Sequence, residues 1–177
     1  MHDGMNAEDL RAVQAPIKER YRSEPDSAIV TLHADGKLDD PTGLSCSVEV
    51  GSAIVKAGLH PATGGTGMLA CSGDMLLQAL VACAGVTLRA VATSTGIEVR
   101  GGSVRAEGDL DFRGTLGVDK EAPVGFKNIR LTFDIDTDAS TDQVATLKKL
   151  TERYCVVYQS LASGLVPETE FRTHANV

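Results

Sequence analysis

What this chain lacks narrows its role first. No two of its four cysteines, Cys46, Cys71, Cys83 and Cys155, stand as Cys-x-x-Cys or in any other close pair. The usual spacing of zinc ligands is therefore missing, and no metal site is expected. Four scattered thiols in 177 residues are also too few for a disulfide scaffold. None of the 17 lysines and arginines form a dense run, and the formal net charge is -7. A phosphate backbone is bound by concentrated positive charge, so nucleic acid is not an expected partner. The segment Met1-His-Asp-Gly-Met-Asn-Ala-Glu-Asp-Leu10 has no apolar stretch of the secretory kind. The expected compartment is the cytoplasm, where thiols stay reduced and a disulfide is transient. There is no internal repeat and no low-complexity segment.

Two partial motifs fail for want of particular residues. Gly64-Gly65-Thr66-Gly67 is not followed by the lysine of a phosphate-binding loop, and reads as a flexible entry to the next helix. Asp134-Ile-Asp-Thr-Asp138 begins like a calcium loop, but Ala139 stands where that loop needs glycine and Ala145 where it needs glutamate. Outward-facing strand carboxylates are the simpler account. No bound cofactor is expected.

What is present is a long apolar run, Cys71 to Ser94, interrupted between Asp74 and Ala92 only by Gln78, Thr87 and Arg89. Ser72 reads as the cap that satisfies first-turn amides, Asp74 as a carboxylate at the positive end, and Gly96 as the stop. A helix apolar on nearly every face belongs inside a protein. With Gln78 and Arg89 inside it, a membrane span is not expected.

The other elements follow from the period of apolar residues. Ala7 to about Glu24 carries Leu10, Val13, Ile17 and Tyr21 at helical intervals. The chain is accordingly divided into an N-terminal extension, residues 1–26, and one domain, residues 27–177. Short strands are expected at Ala28–His33, Leu44–Val50 and Ala53–Ala57, with a loop from Gly58 to Thr66. Longer half-buried strands are expected at Ile97–Leu110 and Phe126–Asp136, separated by a loop from Asp111 to Val124. Ser140 or Thr141 caps a second helix, whose stripe Val144, Leu147, Leu150, Tyr154, Tyr158, Leu161 runs to Gly164. A last strand, Glu168–His174, closes the chain. The fold class is α+β: an antiparallel sheet with a long buried central helix and a second helix.

Cys83 and Cys155 carry the candidate chemistry, because each falls on or beside a main helix. A cysteine on an apolar helix is ordinarily a small hydrophobe. Reactivity needs a thiolate, and Cys83 lies about three turns from the start of its own helix, where the dipole contributes little. A nearby cation is expected to supply the activation. His60, in a loop before Pro61, is either a solvated side chain or a site base.

The run Ser72-Gly-Asp-Met-Leu-Leu-Gln-Ala-Leu-Val-Ala-Cys83-Ala-Gly-Val-Thr-Leu-Arg89, two further strands, and Glu152-Arg-Tyr-Cys155 resemble the OsmC/Ohr family of osmotically inducible and organic hydroperoxide resistance proteins. The resemblance covers roughly Ser27 to the end. It implies an intertwined homodimer with two sites at the subunit interface, and a thiol peroxidase. Cys83 would match the cysteine that attacks an organic hydroperoxide, and Cys155 the resolving cysteine that forms a disulfide with it. An external dithiol would then reduce that bond.

Three family features differ here. The family's glutamate at the start of the long helix corresponds to Gly73, with Asp74 beside it. No arginine of the N-terminal strands can be matched among Arg20 and Arg22, and Lys56 ends the third strand. Val156 replaces the proline that commonly follows the second cysteine. Asp74, His60 and Lys56 are the candidates for the supporting roles. These departures leave a rival reading, a non-catalytic stress-associated protein that binds small molecules on the same dimeric scaffold.

Overall fold

The alternation of apolar and polar residues that marks Phe126–Asp136 builds the longest strand among the described residues, β6, which pairs antiparallel along its length with β5, Gly101–Leu110. This is a computed structural model, and it describes residues 6–29, 36–37, 45–50 and 53–169. In register, Val104 faces Phe133 and Ala106 faces Leu131, so apolar residues of both strands share one side of the ribbon. The opposite side carries ion pairs, among them Arg105 with Glu107 at 3.1 Å. Gly102 has φ +140, and a Cβ there would lie 2.1 Å from the carbonyl oxygen of Asp134. Only glycine permits that approach.

The remaining strands form a second group. β1 (Gly36–Lys37), β2 (Ser45–Val50) and β3 (Ala53–Gly58) are antiparallel neighbours, and β3 pairs in parallel with β4 (Ala70–Cys71). The expected α+β arrangement of antiparallel strands and helices is present, and among the described residues its strands form two sheets, one of them with a parallel edge. The strand expected at Ala28–His33 starts differently, since Ala28 ends a 3-10 turn, Pro25–Ala28, and residues 30–33 lie outside the described residues. Of the last expected strand, Glu168 and Thr169 have no regular structure, and residues 170–174 lie outside the described residues.

Five helices complete the described chain. α1 (Ala7–Ser23) starts on a capping box of Asn6 with Asp9 and buries none of its residues. α2 (Ser72–Thr95) is the long apolar helix and ends at Gly96, in the left-handed region at φ 70. Its cap is Cys71 and not Ser72, because the β4 pairing holds Cys71 extended and puts Ser72 inside the first turn. α3 (Phe112–Thr115) is a single turn within the loop expected from Asp111. α4 (Thr141–Tyr154) opens on a capping box of Ser140 with Gln143. α5 (Val156–Ala162) follows after one extended residue, so the expected second helix is broken at Cys155.

The core lies where α2 meets α4, α5 and the β5–β6 ribbon. One cluster gathers Leu88, Val91, Ala92, Ile97 and Leu147; the other gathers Leu80, Ala84 and Cys155, with Cys83 packed against it. Buried positions of α2 follow one helical stripe, Leu80, Ala84, Leu88 and Val91. Its far face stays open in the single chain, with Val86 73% exposed. By length and composition alone α2 is apolar enough to cross a membrane. Arg89 ties its second half to the carbonyl of Val99.

Candidate functional site

Cys155 stands between two helices, with φ -74 and ψ 109. Its own N–H still donates to the carbonyl of Thr151 at 3.0 Å, which closes α4. Its carbonyl accepts from the N–H of Gln159 at 2.9 Å, which opens α5. The extended residue between them breaks the helical hydrogen-bond ladder. The carbonyl of Glu152, which a continuous helix would have bonded to the next turn, accepts instead from the Gln159 side-chain amide at 2.8 Å. The amides of Val156, Val157 and Tyr158 are freed at the start of α5. No proline is needed for this break. Val156 and Val157 are β-branched and lose rotamer freedom in a helix, which weakens continuation through this point.

The freed amides face the two sulfurs. Cys83 reaches the site from the middle of α2, where the packing of Leu80 and Ala84 against Cys155 brings the elements together. Burial pushes the Cys83 thiol up. Hydrogen bonds outweigh this, from the N–H of Val157, the Cys155 thiol, the N–H of Val156 and the Thr87 hydroxyl, and hold Cys83 below its ordinary value. Cys155 moves the opposite way. Burial raises it, the amide of Tyr158 works against burial, and the neighbouring Cys83 sulfur adds to the rise. Cys83 is partly exposed, whereas Cys155 is 1% exposed. The pair therefore divides into a partly exposed thiol held below its ordinary value and a sheltered thiol held above it. Both are free thiols.

Among the described residues the groups that lower the Cys83 thiol are backbone amides, the Cys155 thiol and a hydroxyl, and the expected cation is not one of them. The three supporting candidates stand elsewhere. Asp74 is exposed in the first turn of α2, nine residues before Cys83, or about 13 Å along the helix axis. His60 accepts from the N–H of Ala62 through Nδ1 at 3.0 Å, capping the 3-10 turn Pro61–Thr63, and its ring stacks on Phe112 with centroids 4.9 Å apart. That ring is engaged in holding a loop. Lys56 is exposed on β3. Gly73 has room for a side chain, since a Cβ there would sit at ordinary contact distance from Phe126 and from the sulfur of Cys71. Cys46 lies among residues whose side chains are outside the description. Among the described residues no three of His, Cys, Asp and Glu converge as ligands for an ion.

A cavity of about 770 Å³ opens between β6, α4 and α5, and neither cysteine lines it. Leu80, Phe133, Leu147, Tyr158 and Leu161 line it, and Lys127 and Lys148 also border it. Leu80 and Tyr158 belong at once to this wall and to the packing around Cys155. An apolar molecule held there would touch Leu80 and Tyr158, which in turn pack around Cys155.

Comparison with known proteins adds the family context. A family described as OsmC-like protein matches residues 65–170. Among solved structures, an OsmC-like protein from Mycoplasma pneumoniae superposes with a TM-score of 0.62 at 16% identity, covering 76% of this chain and 89% of its own. An organic hydroperoxide resistance protein from Elizabethkingia anophelis gives 0.61 at 14% identity, covering 77% and 91%. Another, from Legionella pneumophila, gives 0.58 at 18% identity, covering 76% and 90%. Compared by sequence with curated proteins, the chain matches none.

Proposed function

The chain belongs to the OsmC-like protein family, and from that premise we propose that it is a thiol peroxidase that reduces organic hydroperoxides. The observation that carries this reading is the asymmetry of the thiol pair, with Cys83 below the ordinary thiol value and partly open, and Cys155 raised, buried and adjacent. A peroxidase of this kind needs one ready thiolate and one reserve thiol. Similar folds in organic hydroperoxide resistance proteins add weight to the substrate class.

In the proposed cycle the Cys83 thiolate attacks the terminal oxygen of R–O–O–H. An S–O bond forms, the O–O bond breaks, and the alkoxide leaves and takes a proton to become the alcohol. Cys83 is then a sulfenic acid. The Cys155 sulfur attacks the Cys83 sulfur, an S–S bond forms, the S–OH bond breaks, and hydroxide departs with the thiol proton as water. An external dithiol, available in the cytoplasm, reduces the disulfide through a mixed disulfide and is itself oxidised. The apolar cavity favours hydroperoxides with an organic tail.

The same reading includes a homodimer. The outer face of α2, with Leu76 and Val86 exposed, is an apolar surface on an otherwise core-forming helix, and a second copy would cover it. Sedimentation at micromolar concentration is expected to give twice the chain mass; a stable monomer would remove the dimer from the proposal.

Hydroperoxide consumption with a dithiol reductant tests the chemistry. Cys83→Ser is expected to abolish turnover. Cys155→Ser is expected to stop after one equivalent and leave a trappable sulfenic acid. Full activity in Cys83→Ser, or no Cys83–Cys155 disulfide by mass mapping after stoichiometric hydroperoxide, would overturn the peroxidase reading.

A further inference from the structure

Cys155 is the single residue between α4 and α5, and one side chain reaches across it. Gln159, four residues after Cys155, donates its Nε2 amide to the carbonyl of Glu152 in the last turn of α4, at 2.8 Å. Its backbone N–H donates to the carbonyl of Cys155 itself at 2.9 Å. Gln159 is thus tied at once to the end of α4 and to the residue at the break. Cys155 is 1% exposed, whereas Gln159 lies at the surface, where its side-chain bond can open without unpacking the core.

A disulfide between the two free thiols demands movement, because bonded sulfurs stand about 2 Å apart, closer than sulfurs in contact. Cys83 lies in the middle of α2 between the buried Leu80 and Ala84, so its helix is held on both sides of it. Cys155 hangs on one extended residue, and turning it about its own backbone swings α5 against α4. That swing parts the two ends of the Gln159 side-chain bond. We propose that Gln159 is a positioning residue for Cys155, a clasp that holds the reduced thiol in its sheltered place and opens when Cys155 bonds to Cys83. The clasp is made in the dithiol and lost in the disulfide, so it favours the dithiol. The inference rests on the thiol chemistry proposed above.

The test uses the full chain and a reagent that needs no hydroperoxide. Oxidised glutathione takes two hydrogens with their electrons from the Cys83 and Cys155 thiols, which become one S–S bond, while its own S–S bond opens to give reduced glutathione. The equilibrium is read by mass mapping of that disulfide in a glutathione buffer, in wild type, Gln159→Met and Gln159→Arg. Methionine keeps the length and deletes the donor; arginine keeps an N–H, its Nε, at the same number of bonds from the backbone. In Gln159→Met the equilibrium constant is expected to shift toward the disulfide by about 2- to 10-fold, the worth of one hydrogen bond. Cys155 of the reduced chain should alkylate faster by a similar factor, with Cys83 unchanged. Gln159→Arg should stay within about twofold of wild type, since its donor is retained. A Gln159→Met equilibrium that coincides with wild type overturns the proposal, as does an arginine variant that follows methionine. Failure of excess oxidised glutathione to form the Cys83–Cys155 disulfide in wild type overturns both the clasp and the peroxidase reading. If methionine shifts the equilibrium while hydroperoxide leaves wild-type Cys83 unoxidised, the clasp stands and the peroxidase reading falls.

Discussion

The Cys83 sulfur, carried on the middle of α2, faces the backbone N–H of Val157 in the first turn of α5. A hydrogen bond between an amide donor and a thiolate stabilises the charged form without any charged side chain. The first consequence is an order of reactivity. With reduced protein at neutral pH, Cys83 is expected to alkylate faster than Cys155, which is both raised and buried. Time-resolved mass mapping reads this directly, and equal rates for the two thiols would contradict the geometry.

The two thiols also load stability onto pH in opposite senses. A folded value below the ordinary one means that the contribution of Cys83 is fully present above the ordinary thiol value and fades as pH falls through the folded value. Cys155 is raised, so its contribution is present below the ordinary value and is lost as pH rises through the folded one. Removing Cys83 by Cys83→Ser should therefore flatten the alkaline rise and reduce the loss due to Cys155 to the part that burial causes. Urea unfolding in the alkaline range, compared with wild type, reads the difference.

Leu80 and Leu147 are each 1% exposed and anchor the two core clusters. Truncation of either to alanine removes buried apolar surface and leaves a cavity, at a cost of about 3 kcal/mol. The midpoint of urea unfolding should fall with an unchanged slope. Leu80→Ala should also change Cys83 alkylation, because Leu80 packs against Cys155; Leu147→Ala should not.

Thr151 is 2% exposed, and its hydroxyl has no hydrogen-bond partner among the described residues. A buried orphan hydroxyl costs free energy that an apolar group of the same shape would not. Thr151→Val is expected to raise stability by about 1 kcal/mol, again read from the urea midpoint.

Asp111 sits between Arg113 and Lys127, and the hydrogen bond from the Arg113 guanidinium, more than any other influence, lowers its carboxyl to about 2. Its contribution to stability is present above the ordinary carboxylate value and is lost as pH falls through about 2. A side-chain NMR titration is expected to place the midpoint near that figure, and Arg113→Gln to move it upward.

Much of the fold was legible because local periodicity reports it. Phe126–Asp136 has the expected bounds, with Ile129, Leu131, Phe133 and Ile135 on one side, and α2 begins and ends within a residue of its expected limits. The legible part of the site was its sulfur pair, marked by two cysteines on or beside the main helices. The break at Cys155 was not legible, since the stripe from Val144 to Leu161 keeps helical spacing straight through it. A pair of valines after the cysteine was the available signal. Asp74, His60 and Lys56 were chosen by side-chain chemistry and are not brought to Cys83 within the single chain, whereas the donors that lower Cys83 are mostly backbone amides, which nearly every residue carries.

By itself the sequence determined the types of the main elements, α2, β5, β6 and α4, the family resemblance and the two cysteines, because apolar period, caps and residue identity are local properties of a chain. Only the tertiary structure decided that α2 buries one stripe and leaves an apolar face open, and that the freed amides of α5 meet the Cys83 sulfur. Those facts depend on which elements touch. Hydrogen bonds that cross between them appear only once Leu80 and Ala84 pack α2 against Cys155.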